Sequence, residues 1–374
     1  MAKKADSNMA ASDFNLQRLS TKDLAATVAA TIEAQGNIAI FGRRGTGKTE
    51  ISKQQIKASK KREIYINLSV LERPDMGGYP NIMSADPDRK YVNFLLPHFY
   101  EPLIEGNEKC VVLFDEVDKA DPSLWAPLLE FTQFHTINGR QMKNLDAIIM
   151  TGNLISEGGS RPSLPLLDRA SKFLVEADAA TWMEWAGKSG KIHPSISAYI
   201  NDHPKDLFGA VDPEDRYADS SPRGWANASR LITKGEEFGW SKEVMNKQVS
   251  GCVGKEVGLK YSHYYDHYQV LLPLVNNVFE GKSVLKEFNA LEPTKKLVAC
   301  MIVCARMASQ LDDSTGKKAP KALDHVGKFL QGVPSEQVLV AVRTQLQIKR
   351  LIDWNLDEQK EWKPLIDKIT SQVY

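Results

Sequence analysis

Residues 42–49 read Gly42-Arg43-Arg44-Gly45-Thr46-Gly47-Lys48-Thr49, which fits the pattern G-x-x-x-x-G-K-[ST] at every fixed position. This stretch follows the apolar segment 38–41 and precedes a helical pattern, so it joins a strand to a helix. Glycines let such a loop curl until successive backbone N–H groups point at phosphate oxygens. Lys48 would reach the β- and γ-phosphates, and the Thr49 hydroxyl would bind Mg²⁺. The alternative is a glycine-rich turn with an accidental Lys-Thr, and the strand–loop–helix context disfavours it. All eight residues are predicted to bind a nucleotide.

A second motif is an apolar run that ends in two acids, Val111-Val112-Leu113-Phe114-Asp115-Glu116. A carboxylate at the carboxyl end of a parallel strand projects into the crevice where such sheets bind ligands. Asp115 is therefore predicted to hold the Mg²⁺ shell and Glu116 to polarise the attacking water. The alternative is a solvated acidic turn, in which Asp118 and Asp121 are further exposed acidic residues. The absence of an N-K-x-D guanine-reading motif favours ATP over GTP.

The apolar pattern predicts an α/β fold up to about residue 178. Continuous apolar runs indicate strands that are buried on both faces of a parallel sheet, and helical patterns lie between them. Five strands are predicted, at residues 38–41, 63–68, 110–114, 147–151 and 171–175. Beyond residue 181 the strand-like runs stop and helical stretches continue nearly to the end. The predicted divisions are a flexible N-terminus (1–19), an α/β domain (20–180), a helical domain (181–275) and a helical C-terminal extension (276–374).

Composition excludes several classes of protein. The 374 residues carry a formal net charge of +1, so no polyelectrolyte partner is implied for the chain as a whole. The longest apolar run, Leu297 to Ala305, is far too short to span a bilayer and predicts a helix buried on all sides. The four cysteines show no metal-binding spacing and are expected to be buried thiols in a reducing compartment. These features predict a soluble cytoplasmic protein without a membrane partner.

With these motifs the chain resembles the AAA+ ATPases, and most closely their MoxR-like and dynein-related branch, over roughly residues 20 to 270. The resemblance implies a P-loop AAA+ core with a five-stranded parallel sheet, followed by an all-α lid domain. It also implies a homo-oligomer, a hexameric ring that hydrolyses ATP with Mg²⁺ at subunit interfaces.

Three further stretches carry this resemblance. The strand ending in Thr151-Gly152-Asn153 is similar to the family's sensor 1, so that Asn153 would align the attacking water. The stretch Leu164-Pro165-Leu166-Leu167-Asp168-Arg169 is similar to the helix that carries the arginine finger, which implies Arg169 acting in a neighbouring subunit. The stretch Ser220-Ser221-Pro222-Arg223-Gly224-Trp225 resembles sensor 2. A cation in a first helical turn is unfavourable unless an anion lies nearby, so Arg223 is predicted to contact the γ-phosphate.

Each of these residues also has a structural alternative. Asn153 could be a turn or cap residue. Arg169 could stabilise the carboxyl end of its own helix, in which case Arg161 is the other finger candidate. Arg223 could reach the surface acids of residues 212–219.

Two insertions also resemble the branch. Residues 71–97 match the position of the helix-2 insert, and residues 134–146 contain Asn138-Gly139, a strong hairpin signal. In a ring both would face the pore and grip a partner, whereas the alternative is ordinary surface loops.

The predicted function is that of an ATPase that remodels or matures a protein partner by MoxR-like chaperone activity. The resemblance points to a von Willebrand A-domain protein as the partner. A nucleic-acid-directed motor or loader remains an alternative because basic residues lie in both insertions. A nucleotide-gated scaffold that scarcely hydrolyses ATP is a further alternative. The basic residues of the two insertions are Arg89, Lys90, Arg140 and Lys143.

Overall fold

The computed structural model describes two compact units, Met1–Ala177 and Asp178–Tyr374. Within them, the described residues are 16–82, 92–155, 162–176, 178–189, 191–209, 220–310, 321–334, 338, 341–342, 356 and 359–371.

The first unit is built on a parallel sheet of six strands, in the spatial order Gln17–Ser20, Ser171–Glu176, Asn37–Gly42, Leu145–Gly152, Cys110–Asp115 and Arg62–Asn67. All five predicted strands form and belong to this sheet. The prediction of five strands was nevertheless wrong by one, because Gln17–Ser20 adds an edge strand. This strand is half exposed, contains Gln17 and Arg18, and pairs on one side only, so it lacks the apolar run that marks a buried strand. It also overlaps the stretch predicted to be a flexible N-terminus.

The strands are β1 Gln17–Ser20, β2 Asn37–Gly42, β3 Arg62–Asn67, β4 Tyr79–Pro80, β5 Phe94–Leu95, β6 Cys110–Asp115, β7 Thr136–Ile137, β8 Arg140–Gln141, β9 Leu145–Gly152 and β10 Ser171–Glu176.

Helices cover both faces of this sheet. Ser20 caps the first helix, where its hydroxyl oxygen accepts from the Asp23 backbone N–H at 3.1 Å. The helices of this unit are α1 Thr21–Glu33, α2 Lys48–Ala58, α3 Arg73–Gly77, α4 Glu101–Ile104, α5 Trp125–Phe134 and α6 Leu164–Leu167.

Alternate residues of the central strands enter two separate cores. Val111 and Leu113 of β6 pack on one face with Leu24 of α1 and Ile56 of α2. Val112 and Phe114 lie on the opposite face in the cluster that contains α5. Because both faces are buried, the strand reads as a continuous apolar run.

Two short antiparallel hairpins interrupt the unit at the predicted insertions. One pairs β4 with β5, and the other pairs β7 with β8. Asn138 and Gly139 both have positive φ, of 47° and 73°, in the turn between β7 and β8. The hairpin predicted from Asn-Gly is therefore confirmed. Residues 83–91 of the first insertion, including Arg89 and Lys90, lie outside the described residues.

The second unit is helical in its described part and shares one hydrophobic cluster, from Trp182 to Ile366. The predicted boundary between residues 275 and 276 falls inside a continuous 25-residue helix. Side chains from both sides of it, such as Tyr261 and Met301, belong to that same cluster. No separate lid core is therefore seen in the described residues, since a domain boundary would need an exposed linker there. The helices are α7 Ala179–Ser189, α8 Pro194–Asp202, α9 Pro222–Glu237, α10 Lys242–Val253, α11 Lys255–Phe279, α12 Leu285–Asn289, α13 Pro293–Gln310, α14 Lys321–Gln331 and α15 Lys363–Ser371.

The apolar run around Cys300 forms the middle of α13, and residues 298–304 are all buried, as predicted. The four cysteines are free thiols, and burial raises the pKa of the Cys300 thiol to about 12. Such thiols stay protonated and unreactive at neutral pH. Over the described residues, no helix is both long and apolar enough to cross a bilayer.

Candidate functional site

The predicted phosphate loop joins the end of β2 to the start of α2. Gly45 and Gly47 adopt positive φ, of 73° and 85°, which glycine allows without steric cost. Gly47 is also the N-cap of α2 and contributes no capping side chain. The first N–H groups of α2 and the positive end of its dipole therefore lie at the loop, which is the arrangement that binds phosphate.

Lys48 places its ammonium inside this loop. Its Nζ donates to the backbone oxygens of Gly42 at 2.8 Å and Arg43 at 2.9 Å. It also lies 3.5 Å from the Asn153 Oδ1. The side chain is buried, and the loop carbonyls compensate its charge.

Asp115 and Thr49 meet at the same edge of the sheet. The Thr49 hydroxyl donates to Asp115 Oδ1 at 3.0 Å, which joins the start of α2 to the end of β6. Hydroxyl and carboxylate oxygens are the hard ligands that Mg²⁺ prefers, usually together with substrate phosphates. In the described part of the chain no cluster of three or more His, Cys, Asp or Glu side chains could hold a metal. A hydroxyl and a carboxylate oxygen at this edge fit a cation that is bound jointly with nucleotide phosphates.

Asn153 follows β9, which lies between β2 and β6 in the sheet. Strand β9 therefore pairs directly with β2, the strand that precedes the phosphate loop. The Asn153 backbone N–H donates to Asp118 Oδ1 at 2.9 Å. Asp118 is fully buried, and this burial raises the pKa of its carboxyl. The alternative of a solvated acidic turn therefore does not hold for Asp118, whereas Asp121 is exposed. No local sequence signal distinguishes the buried Asp118 from the exposed Asp121, because the Asn153 backbone N–H that Asp118 binds lies at the end of another strand.

Glu116 lies directly after β6 in the left-handed region, with φ 56° and ψ 41°. Residues other than glycine seldom adopt this conformation, and such strain is concentrated at functional sites. Its carboxylate oxygen Oε1 lies 3.1 Å from the Lys119 Nζ. Catalysis by Glu116 would require the carboxylate to leave this ion pair.

The Arg169 side chain contacts two residues of the first unit. Its Nε donates to Gln133 Oε1 at 2.9 Å, and its Nη1 donates to the Pro165 carbonyl oxygen. These contacts correspond to the alternative in which the arginine stabilises its own helix end. Arg161, the other finger candidate, lies outside the described residues.

Arg223 is exposed in the first turn of α9. The Ser221 hydroxyl oxygen accepts from the Gly224 backbone N–H at 3.0 Å, and Pro222 is the first helical residue. The local geometry predicted for this helix start is confirmed. Residues 210–219, which hold the acids of the alternative explanation, are not among the described residues.

Sequence reasoning missed two further residues at this site. The hydroxyls of Tyr65 and Thr151 donate to the Asp115 carboxylate, Tyr65 to Oδ2 at 3.0 Å and Thr151 to Oδ1. Both lie on strands that flank β6, so only the sheet order brings them to Asp115.

No family model matches the chain. The chaperone protein ClpB 2 of Thermosynechococcus vestitus is 32% identical over 132 residues, which are 33% of this chain and 14% of that protein. The chain thus matches only a small part of that relative's length.

Two solved structures resemble the chain weakly. The Thermotoga maritima RuvB Holliday junction branch migration motor has a TM-score of 0.33 at 12% identity, covering 65% of this chain and 68% of that one. NtrX from Brucella abortus in complex with ADP has a TM-score of 0.33 at 14% identity, with the same coverage. Likenesses this weak carry no argument.

Proposed function

We propose that the protein is an AAA+ ATPase of the MoxR-like branch that hydrolyses ATP and remodels or matures a protein partner. One observation carries the proposal. Lys48, Asp115 and Asn153 come from the ends of three adjacent strands or the loops after them, and they converge at one sheet edge. This edge is where parallel sheets bind nucleotides.

The roles of the residues follow from phosphoryl-transfer chemistry, which needs positioning and charge stabilisation rather than a covalent nucleophile. Lys48 and the N–H groups of residues 42–49 would take the phosphate charge. Thr49 and Asp115 would hold Mg²⁺, which neutralises charge on the phosphate oxygens. Glu116 would polarise water and Asn153 would align it.

The remaining two residues are proposed to act on the same nucleotide. Arg169 would reach it from a neighbouring subunit of a hexameric ring. Arg223 would connect the helical unit to the nucleotide state.

A protein partner is favoured over nucleic acid by the surface of the first insertion. Tyr79, Ile82 and Leu95 are 56%, 81% and 59% exposed, so its described part presents apolar side chains to solvent. Apolar side chains suit a protein surface, whereas nucleic acid would be bound by basic ones. Arg140 of the second hairpin donates to the Phe94 backbone oxygen at 3.1 Å, so it links the two hairpins. A von Willebrand A-domain protein is the proposed partner, on the resemblance alone.

The test is nucleotide binding and turnover by the full chain and two variants. Lys48→Ala should lose ATP binding, because the ammonium and the loop act on the same phosphates. Glu116→Gln should keep ATP binding and lose turnover, because only the step that needs water is affected. If both variants bind and hydrolyse ATP like the unmodified protein, the site assignment is wrong. Turnover that rises steeply with DNA and falls with salt would instead favour the nucleic-acid motor. Tight ATP binding with negligible turnover in the unmodified protein would favour the scaffold.

A further inference from the structure

The Asp115 carboxylate is held by four donors in the described chain. Oδ1 accepts from the Thr49 hydroxyl at 3.0 Å, from the Glu116 backbone N–H at 3.0 Å and from the Thr151 hydroxyl. Oδ2 accepts from the Tyr65 hydroxyl at 3.0 Å. The two oxygens therefore have different neighbours. Oδ1 faces α2 and β9, and Oδ2 faces β3.

Tyr65 reaches Asp115 because of strand register. Asn67 of β3 lies opposite Asp115 of β6, and Tyr65, two residues earlier, is on the same face of the sheet. The two side chains form a diagonal cross-strand pair, a distance that an aromatic side chain can span.

Tyr65 as a residue is 43% exposed, yet a neighbouring side chain lies over its ring. The Lys53 Nζ of α2 lies 3.9 Å from the ring centroid and 3.7 Å from Glu63 Oε1. A cation over an aromatic face is attracted by the ring, so Lys53 helps to hold the ring against α2.

The hydroxyl of Tyr65 is the donor in this contact, because an ionised carboxylate can only accept.

We propose that Tyr65 is a positioning residue for the divalent cation of a bound nucleotide. Its hydroxyl fixes Oδ2 and thereby keeps Oδ1 turned toward Thr49, the other residue expected to hold that cation. This inference rests on the proposed function and adds to it a residue that lies outside both motifs. Removal of the hydroxyl would leave the carboxylate free to rotate, and cation affinity would fall without a change in how the phosphate loop binds nucleotide.

The test measures cation and nucleotide affinity separately in the full-length Tyr65→Phe protein. ATP affinity is measured with a fluorescent ATP analogue in EDTA. Cation affinity of the protein–nucleotide complex is measured by Mn²⁺ electron paramagnetic resonance. Tyr65→Phe should weaken Mn²⁺ binding by about fivefold, as expected for a partly exposed hydrogen bond to a charged group. ATP affinity in EDTA should remain within about twofold, because the phosphate loop is intact.

The matched control is Tyr264→Phe. Tyr264 donates to Asp202 Oδ2 at 3.1 Å in the helical unit, so this variant also deletes one Tyr–Asp hydrogen bond. It should change neither affinity. If Tyr65→Phe fails to fold, Lys53→Met is tested in its place, because it removes the cation that lies over the Tyr65 ring. Weaker Mn²⁺ binding with unchanged ATP affinity in that variant would then support the proposal, and unchanged Mn²⁺ binding would overturn it.

The other outcomes separate this inference from the proposed function. If Tyr65→Phe binds Mn²⁺ like the unmodified protein, Tyr65 has no positioning role. If it loses ATP affinity in EDTA to the same degree as Mn²⁺ affinity, its role is structural and the inference fails. If the unmodified protein does not bind ATP with Mg²⁺ at all, both the inference and the proposed function fail.

Discussion

At the scale of single residues, the site depends on close approach between strands. Gly152 ends β9 directly before Asn153. A Cβ added at Gly152 would lie 2.9 Å from the Phe41 ring and 3.1 Å from Asp118 Oδ1. The small residue therefore lets β9 lie close to β2 while the Asn153 backbone N–H reaches Asp118.

Gly152→Ala should destabilise the fold, because Phe41 and the buried Asp118 would both have to shift. We expect the free energy of unfolding to fall by about 1–3 kcal/mol, the usual range for an overpacked core. Urea unfolding at pH 7 measures this change.

Gly251→Ala is the control for this substitution. Gly251 lies in α10, where an added Cβ meets nothing within 4 Å. There alanine should raise the free energy of unfolding by up to about 1 kcal/mol, through helix propensity. Equal effects from the two variants would show that the contacts at Gly152 do not matter.

At the scale of elements, a polar network joins three helices of the second unit. His193 lies at the start of α8, and its Nε2 is 3.2 Å from Oε2 of Glu236 in α9. The Tyr265 hydroxyl of α11 donates to the other carboxylate oxygen of Glu236, and Gln269 does so at 3.3 Å. Burial alone would raise the pKa of Glu236. The hydrogen bonds to His193, Tyr265 and Gln269 outweigh it, so the pKa is lowered from 4.5.

A lowered carboxyl pKa fixes the sign of the pH dependence. The stabilisation from Glu236 is present above its unfolded pKa and is lost as pH falls through the lower folded pKa. Glu236→Gln should therefore reduce stability at pH 7 and make the loss of stability below about pH 4.5 shallower. Chemical unfolding at a series of pH values measures both changes.

Glu243→Gln provides the comparison, since Glu243 is exposed and pairs only with Lys247 four residues on, among the contacts described. It should leave the pH profile nearly unchanged. A Glu236→Gln profile parallel to that of the unmodified protein would contradict the role given to this network.

The two hairpins are elements that supply no nucleotide ligand. Replacing the exposed residues 138–141 with glycines should leave ATP affinity and basal turnover within about twofold, because the buried Ile137 and the phosphate loop both stay unchanged. Stimulation of turnover by the protein partner should be lost. Loss of ATP binding in this variant would show that the hairpin is structural and not a partner-binding element.

At the scale of the whole molecule, Arg169 distinguishes a ring from a monomeric enzyme. An arginine finger is worth roughly 10³–10⁵ in turnover, whereas a lost helix-end charge costs about 0.3–1 kcal/mol of stability. Arg169→Ala should therefore fold and bind ATP yet hardly hydrolyse it. Mixing it with Lys48→Ala subunits should restore part of the activity, since some interfaces would then pair an intact loop with an intact arginine.

Gln133→Ala is the control for Arg169. It removes the side chain that Arg169 contacts in its own chain and leaves the arginine in place. Turnover should be retained if the arginine acts in a neighbouring subunit. Two results together would exclude an ATP site shared between subunits. Turnover per subunit would not depend on protein concentration, and mixing the two variants would restore no activity.

The sequence by itself determined the phosphate loop, the acidic strand end and five of the six strands of the sheet. These features are local: a glycine pattern sets the loop conformation, and an apolar run marks a strand buried on both faces. The edge strand Gln17–Ser20 was not predicted, because a half-exposed strand needs no apolar run. The helical unit could not be divided from sequence, because one core takes side chains from both sides of residue 275.

Tertiary structure alone decided which polar groups meet at the site. Thr151 and Tyr65 lie 36 and 50 residues from Asp115 along the chain, and they reach it only because β9 and β3 flank β6. The same sheet order buries Asp118 beneath Asn153, while Asp121, three residues later, stays in solvent. Strand order is fixed by the packing of helices on both faces of the sheet, a long-range effect that no local pattern encodes.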